Sequence, residues 1–347
     1  MVHCLLPEWH PQDAVQLTWP SPDSDWAPLL ERIEATMEAM VVAIARYQGV
    51  LIAVPDTATR RHLTHRFTCL GVEPARLKLV VAPANDTWAR DHGAIGVARD
   101  GGLVLLDYTF TGWGGKFEAA RDNTLTRRLA DNGTFACAVE ARDLVLEGGA
   151  IDTDGEGTLL TTEACLLNPN RNPDLDRTAL EARLKADLGI TRVLWLANGH
   201  LEGDDTDSHV DTLVRFCDPA TLAYIRCDDP TDPHYPTLAA MEDELRALRR
   251  TDGDPYRLIP LPWPGACHDP EDGHRLPATY ANFLIINGAV LVPTYGDAAD
   301  SRALAALGEA FPGRDLIPID CLSVIRQHGS LHCLTMQLPL GSLTRLN

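Results

Sequence analysis

The stretch "YANFLIINGAVLVPTYGDAADSRALAALGEAF" (Tyr280–Phe311) sets an apolar, β-prone run ahead of a segment whose apolar residues fall at helical spacing. The first part reads as β structure and the second as an amphipathic helix. The same alternation recurs outward along the chain. Further β-like runs are "GVLIAV", "LKLVVA", "GLVLLDYTF", "GTLLTTEACLLN", "RVLWLA", "TLVRF", "TLAYIRC" and "LHCLTMQLP". Helical spacing returns in "WAPLLERIEATMEAMVVAIARY", "PDLDRTALEARLKADLG" and "LAAMEDELRALRR". A unit of strand, strand, helix, strand, repeated with loose sequence similarity, predicts a closed ring of like α/β modules rather than a two-domain hinge. No GxGxxG opens a helix and no GxxxxGK[ST] occurs, so dinucleotide and P-loop readings lose their support. The segment Cys227 to Thr279, rich in Pro, Asp and Gly around one helix, is expected to be a surface excursion covering a site.

The 347 residues are 45% hydrophobic, enough for a large core. No apolar stretch approaches the roughly 20 residues of a membrane span, and the start lacks an export pattern, so a cytoplasmic protein is expected. Nine cysteines without a CxxC pair read as reduced thiols, not a disulfide framework. Cys69, Cys137, Cys165, Cys217 and Cys321 are expected to be small packed residues. The net charge of −19 argues against nucleic acid, which needs basic patches, and favours a small cationic partner.

Four stretches carry candidate chemistry. "NDTWARDHGAIGV" gathers Asp86, Trp88, Arg90, Asp91 and His92 before an apolar strand. "LVLEGGAIDTDGEGTLLTTE" ends a strand on Glu147, with Gly148 and Gly149 allowing close backbone approach. In "GHLEGDDTDSHVDTLVRF", residues i and i+2 of a strand share a face, so His209 and Asp211 are expected to project together, the carboxylates favouring a charged imidazolium. In "LHCLTMQLP", strand alternation puts Cys333 with Thr335 and Gln337, and turns His332 away; the base for the thiol then comes from elsewhere, His209 first. A zinc site from His328, His332 and Cys333 is disfavoured because Gly329 interrupts helical spacing.

Together with "PEWHPQDAVQLTWPSPDSDW", "YTFTGWGGKF" and "YANFLIINGAVLVPTYGD", these motifs resemble the agmatine deiminase family of the guanidine-modifying superfamily, over almost the whole chain. The resemblance implies one catalytic domain, residues 1–347, folded as a five-bladed, pseudo-symmetric α/β propeller of ββαβ modules, the pentein fold. It implies Cys333 as nucleophile, His209 as general acid and base, Asp91 and Asp211 as grips on the guanidinium, and Glu147 as an orienting group. No cofactor or metal is implied. Carboxylates suit a planar cation that presents paired N–H donors. Agmatine is the implied substrate. Trp88 and Trp113 are expected to wall its methylene chain, and Asp204, Asp205 and Asp207 to meet its distal ammonium. Other guanidine compounds, arginine or peptidyl-arginine, an amidino transfer to an amine, and guanidine binding without turnover are the alternatives; a homo-oligomer is compatible with all of them. The chain departs from the family pattern before the nucleophile, where "RQHGSLHC" replaces "GGGNIHC", at Ser208, where glycine is usual, and at "RDHGAI".

Overall fold

The structure is a computed structural model and describes residues 3–344. Five small mixed sheets are laid down in order along the chain. In each, a short antiparallel pair comes first and a helical crossover then adds an outer, parallel strand. The quoted stretch forms the fourth. Leu284–Ile286 turns at Asn287-Gly288 into Ala289–Thr294, the helix Asp300–Ala310 crosses over, and Asp315–Asp320 pairs in parallel. Gly288 has φ +77, which an Asn-Gly hairpin turn requires.

The first sheet holds Ile95–Arg99, Gly102–Thr109 and Ala138–Val145, with His3–Leu5 added at its edge. The second holds Ile151–Thr153, Thr158–Thr162 and Arg192–Leu196, reached through the helix Arg177–Leu188. Asp176 caps that helix by accepting from Ala179 N–H at 2.8 Å, and Gly189, at φ +67, ends it. The third holds Val214–Asp218, Thr221–Ile225 and Arg257–Leu261, bridged by the helix Tyr235–Ala247. The fifth is assembled from both ends of the sequence: Thr335–Pro339 runs antiparallel to Gln12–Thr18, beside which lie Gly49–Val54 and Leu77–Val81. The helix Leu30–Ala45 buries Ile33, Met37, Met40, Val41 and Ile44 in the largest apolar cluster.

One short turn precedes the first strand of each sheet. Ala89–His92 packs on Gly148–Ala150 and on His332–Leu334, and Gly148–Ala150 packs on Val210–Thr212. In the fourth sheet the equivalent position is held by Asn282, two residues before Leu284. Side chains from these five turns therefore converge.

Beneath them lies an ionic cluster with little access to water. Arg215 donates to Glu8 at 2.9 Å, to Asp152 at 3.0 Å and to the Phe283 carbonyl at 2.8 Å, and Arg90 reaches Glu8 at 3.3 Å. Glu8 stays well below the ordinary carboxylate range because Arg215, His332 and Arg90 outweigh the opposing effect of its burial.

Five expectations need correction. His209 and Asp211 are not on a strand: Asp207 and Ser208 are left-handed, and Asp211 sits in the one-turn helix Val210–Thr212. Cys333 likewise lies in a helical turn, His332–Leu334, ahead of the strand. "GTLLTTEACLLN" is a strand only to Thr162, where the Thr162 hydroxyl caps the helical turn Glu163–Leu166. Residues 227–261 belong to the third sheet's helix and outer strand, leaving only 262–279 as excursion, and Cys69 is exposed at a helix end. Because a buried ion pair that loses one partner strands the other charge, Arg215→Ala should cost about 3–5 kcal/mol of stability. Denaturant unfolding checks this, and an unchanged midpoint would contradict the cluster's structural weight.

Candidate active site

The left-handed pair Asp207 (φ +66) and Ser208 (φ +69) reverses the chain and drives His209 inward. Each such non-glycine residue costs about 1–2 kcal/mol, so the surroundings must enforce the turn. They do so from three sides. Asp204 accepts from the Ser208 N–H at 2.7 Å and the Thr206 hydroxyl at 2.6 Å. Thr162 donates to the Ser208 carbonyl at 2.7 Å. Arg171, its side chain fully buried, ties Asp207 at 2.7 Å and the Thr206 carbonyl at 3.0 Å to Glu147, also at 2.7 Å.

The turns before the first strands supply the rest. Asp91 is held by Trp113 Nε1 at 2.9 Å and the Gly149 N–H at 3.2 Å. His209 Nδ1 stands 3.6 Å from Asp91, too far for a hydrogen bond. Asp211 accepts from His332 Nδ1 at 2.7 Å. Cys333 is buried, and its thiol faces Asn282 Oδ1 at 3.4 Å. A Cβ on Gly149 would lie 2.6 Å from His209 Nδ1, 2.9 Å from Asp91 and 3.2 Å from Asp211, so only glycine leaves this centre open. Both His209 nitrogens, Glu147 Oε2 and Asp211 Oδ1 are buried with no protein partner. Buried polar groups of this kind are costly without a partner, and four such atoms gathered in one centre can serve an incoming polar ligand.

The electrostatics match. Burial drives His209 down to about 3, with Arg171 pushing the same way, so the ring is neutral near pH 7 rather than an imidazolium. Burial, then Asp211 and Glu147, raise Asp91 well above the ordinary range. Burial raises Glu147 despite Arg171. Burial, Asp211 and Asp91 raise the Cys333 thiol. Each of Asp91, Glu147 and Cys333 thus favours a cation among them. A cavity opens above, lined by Asp91 and Cys333, by Trp88 and Trp113, and by Asp25, Asp205 and the exposed Phe117; Asp86 also lines it but is held by Trp26 Nε1 at 2.8 Å and the Thr87 N–H at 2.7 Å. Its lining, drawn from the described residues, holds no lysine or arginine.

Residues 4–339 match the family described as Porphyromonas-type peptidyl-arginine deiminase. Agmatine deiminase of Stutzerimonas stutzeri is 34% identical over 354 residues, covering 96% of this chain and 94% of that one. The chain belongs to this family, with the agmatine deiminases. Among solved structures, C. jejuni agmatine deiminase with substrate bound is 37% identical, with a TM-score of 0.89 over 97% of this chain and 96% of that one. A Porphyromonas gingivalis structure, provisionally an arginine deiminase, is 51% identical, with a TM-score of 0.91 over 99% of this chain and 100% of that one.

At the positions where the family pattern has glycine, Ser208 and His328 keep left-handed backbone, φ +69 and +66, while adding a side chain. His328 lines the cavity, donates from Nδ1 to the Gly203 carbonyl at 2.8 Å, and stacks on His274 from the 262–279 segment, ring centroids 5.4 Å apart. Gly329 is pressed against Trp88: a Cβ there would lie 2.2 Å from the indole.

The structure brings together Cys333, His209, Glu147, Asp91 and Asp211, with Trp88 and Trp113 on the cavity wall. Of the three expected ammonium partners only Asp205 lines the cavity. Asp204 is consumed by its own turn, and Asp207 by Lys116 at 2.9 Å and Arg171 at 2.7 Å. Sequence reading passed over Asn282, Arg171 and Glu8. Asn282 had a signal, since it precedes a first strand as the other site residues do. Gly149→Ala should lower turnover of a guanidine substrate by about a hundredfold or more, a methyl displacing reacting groups being felt steeply. Steady-state kinetics on the folded variant check it, and near-normal turnover would contradict the close fit.

Proposed function

We propose that the chain hydrolyses the guanidinium group of agmatine, giving N-carbamoylputrescine and ammonia, through a covalent intermediate on Cys333. The observation that carries this is the set of unpartnered, buried carboxylate and imidazole atoms on Glu147, Asp211 and His209, gathered beside Asp91, which with the Cys333 thiol lines an acidic cavity. A flat cation with paired N–H donors fits Asp91 and Asp211, and Glu147 Oε2 adds a further acceptor.

The free site holds a thiol and a neutral imidazole. Entry of the cation offsets the carboxylates that hold the Cys333 proton, so attack on the guanidinium carbon and proton transfer to His209 proceed together. Protonated His209 then gives that proton to the departing nitrogen, ammonia leaves, and an amidino-thioether remains. Water takes the vacated position and adds to the carbon while His209 accepts its proton; collapse of the adduct breaks the C–S bond, the sulfur regains a proton from His209, and the hydroxyl proton leaves with ammonia as ammonium, releasing the ureido product and restoring the thiol and neutral imidazole. Glu147, fixed by Arg171, orients the imidazole.

Agmatine is preferred to arginine because the described lining of the cavity holds no lysine or arginine to pair with a carboxylate, whereas Asp25 and Asp205 can receive a second cation. The five sheets are read as the blades of a pseudo-fivefold propeller forming one catalytic domain. No described helix is long and apolar enough to cross a membrane.

Ammonia release from agmatine, arginine and a peptidyl-arginine, each with wild type and Cys333→Ala, tests the assignment. Agmatine turnover should dominate and vanish in the variant, which still binds; preference for either carboxylate- or peptide-bearing substrate would overturn the substrate assignment. Asp205→Asn should raise KM for agmatine about two- to tenfold with kcat nearly kept, as loss of a partly exposed charge contact does. Since Asp91 binds its proton more tightly than an ordinary aspartate and must lose it to grip the cation, kcat/KM should fall with acid at a pH above the usual 3.8 of that side chain. A pH profile flat down to that value would remove Asp91 from the binding step.

A further inference from the structure

We infer that Glu8 and His332 are positioning residues of this site: Glu8 pins the His332 ring, and His332 holds Asp211 with one oxygen free for the guanidinium. The inference rests on the deiminase reading and deepens it. His332 Nε2 lies 2.6 Å from Glu8 Oε2 and Nδ1 lies 2.7 Å from Asp211 Oδ2. Carboxylate oxygens only accept, so both ring nitrogens must donate, which the doubly protonated ring alone achieves. Neither nitrogen is left to serve Cys333, although the two residues adjoin in sequence.

Glu8 cannot swing away. Its other oxygen accepts from the Ile285 N–H at 2.6 Å, and Arg215 and Arg90 hold the shared one. The Asn282 side-chain oxygen Oδ1 receives the His332 backbone N–H at 2.9 Å, fixing the backbone that also carries the thiol. The result at Asp211 is a division of labour between its oxygens: Oδ2 is occupied and Oδ1 is buried without a partner.

The three site carboxylates are thereby made unequal. Asp91 and Glu147 are pushed toward the neutral form by burial. Burial would raise Asp211 as well, yet the hydrogen bond and charge of His332 prevail and hold it below the ordinary range. Asp211 is the carboxylate that meets the incoming cation already ionised. An inert packing role for Glu8 and His332 predicts a change in stability alone; a positioning role predicts a change in substrate affinity that runs through Asp211.

The test is a double-mutant cycle with agmatine. His332→Gln should raise KM about tenfold or more while kcat changes much less, because an ionic grip shared by ground and transition states is lost. Added to Asp211→Asn, it should cost less than about a further twofold, since residues acting through one another are not additive. An unchanged KM in His332→Gln, or additive losses in the double variant, would overturn the inference. Should His332→Gln not fold, nitrogen-15 spectra of histidine-labelled wild type decide: two hydrogen-bonded ring N–H groups on His332 at neutral pH are expected, and a ring bearing one overturns it. Calorimetric binding of guanidinium chloride to Cys333→Ala, with and without His332→Gln, needs no turnover. Absence of agmatine turnover in the wild type would refute the deiminase reading, while the spectra and the binding difference judge Glu8 and His332 separately.

Discussion

The dominant constraint is the gathering of Asp91, Glu147 and Asp211 into one dry centre with too little positive charge among them. Desolvating an anion is costly unless hydrogen bonds and counter-charges replace the water. Much of the remaining architecture can be understood as that replacement. Trp113 and the Gly149 N–H serve Asp91, Arg171 serves Glu147, and His332 serves Asp211. What is left over, one oxygen each on Glu147 and Asp211 and both nitrogens of His209, is polarity reserved for something that arrives from outside.

Two layers of charge therefore differ in kind. The deeper one pairs the carboxylates of Glu8 and Asp152 with the guanidinium groups of Arg90 and Arg215. The upper one is left short of a cation. The neutral His209 follows from the same imbalance of solvation: full burial outweighs its acidic neighbours, so the ring is ready to take a proton instead of holding one. An acidic surface field around the whole molecule adds long-range attraction for a positively charged visitor.

Much of this was legible in the sequence. The long, strongly periodic helices and the apolar strands Gly49–Val54, Gly102–Thr109 and Ala289–Thr294 announce themselves by composition. The short inner and outer strands do not: Ile151–Thr153 is three residues long, and Asp315–Asp320 has an aspartate at each end and a proline within, so pairing with neighbours decides them. The helix Thr57–Cys69 is largely polar and was missed for want of an apolar stripe. His209 and Asp211 were rightly drawn together for the wrong reason. They converge because of two left-handed residues and a helical turn, and backbone of that kind leaves little trace in spacing. Asp204 and Asp207 looked equivalent to Asp205 as a run of carboxylates; only their partners, Thr206 and Ser208 for one and Lys116 and Arg171 for the other, set them apart.

The thiol sits two residues ahead of Thr335–Pro339, the strand that seals the fifth sheet by pairing with Gln12–Thr18 near the other terminus. Such a seam joins the most distant parts of the polypeptide and is entropically among the last contacts to form. In chain order Cys333 follows Asp91, Glu147, His209, Asp211 and Asn282, the groups among which it is placed. Until the seam pairs, Glu8 and His332 lie far apart along the chain and cannot hold each other. Reactivity is thus made contingent on the whole circuit being intact.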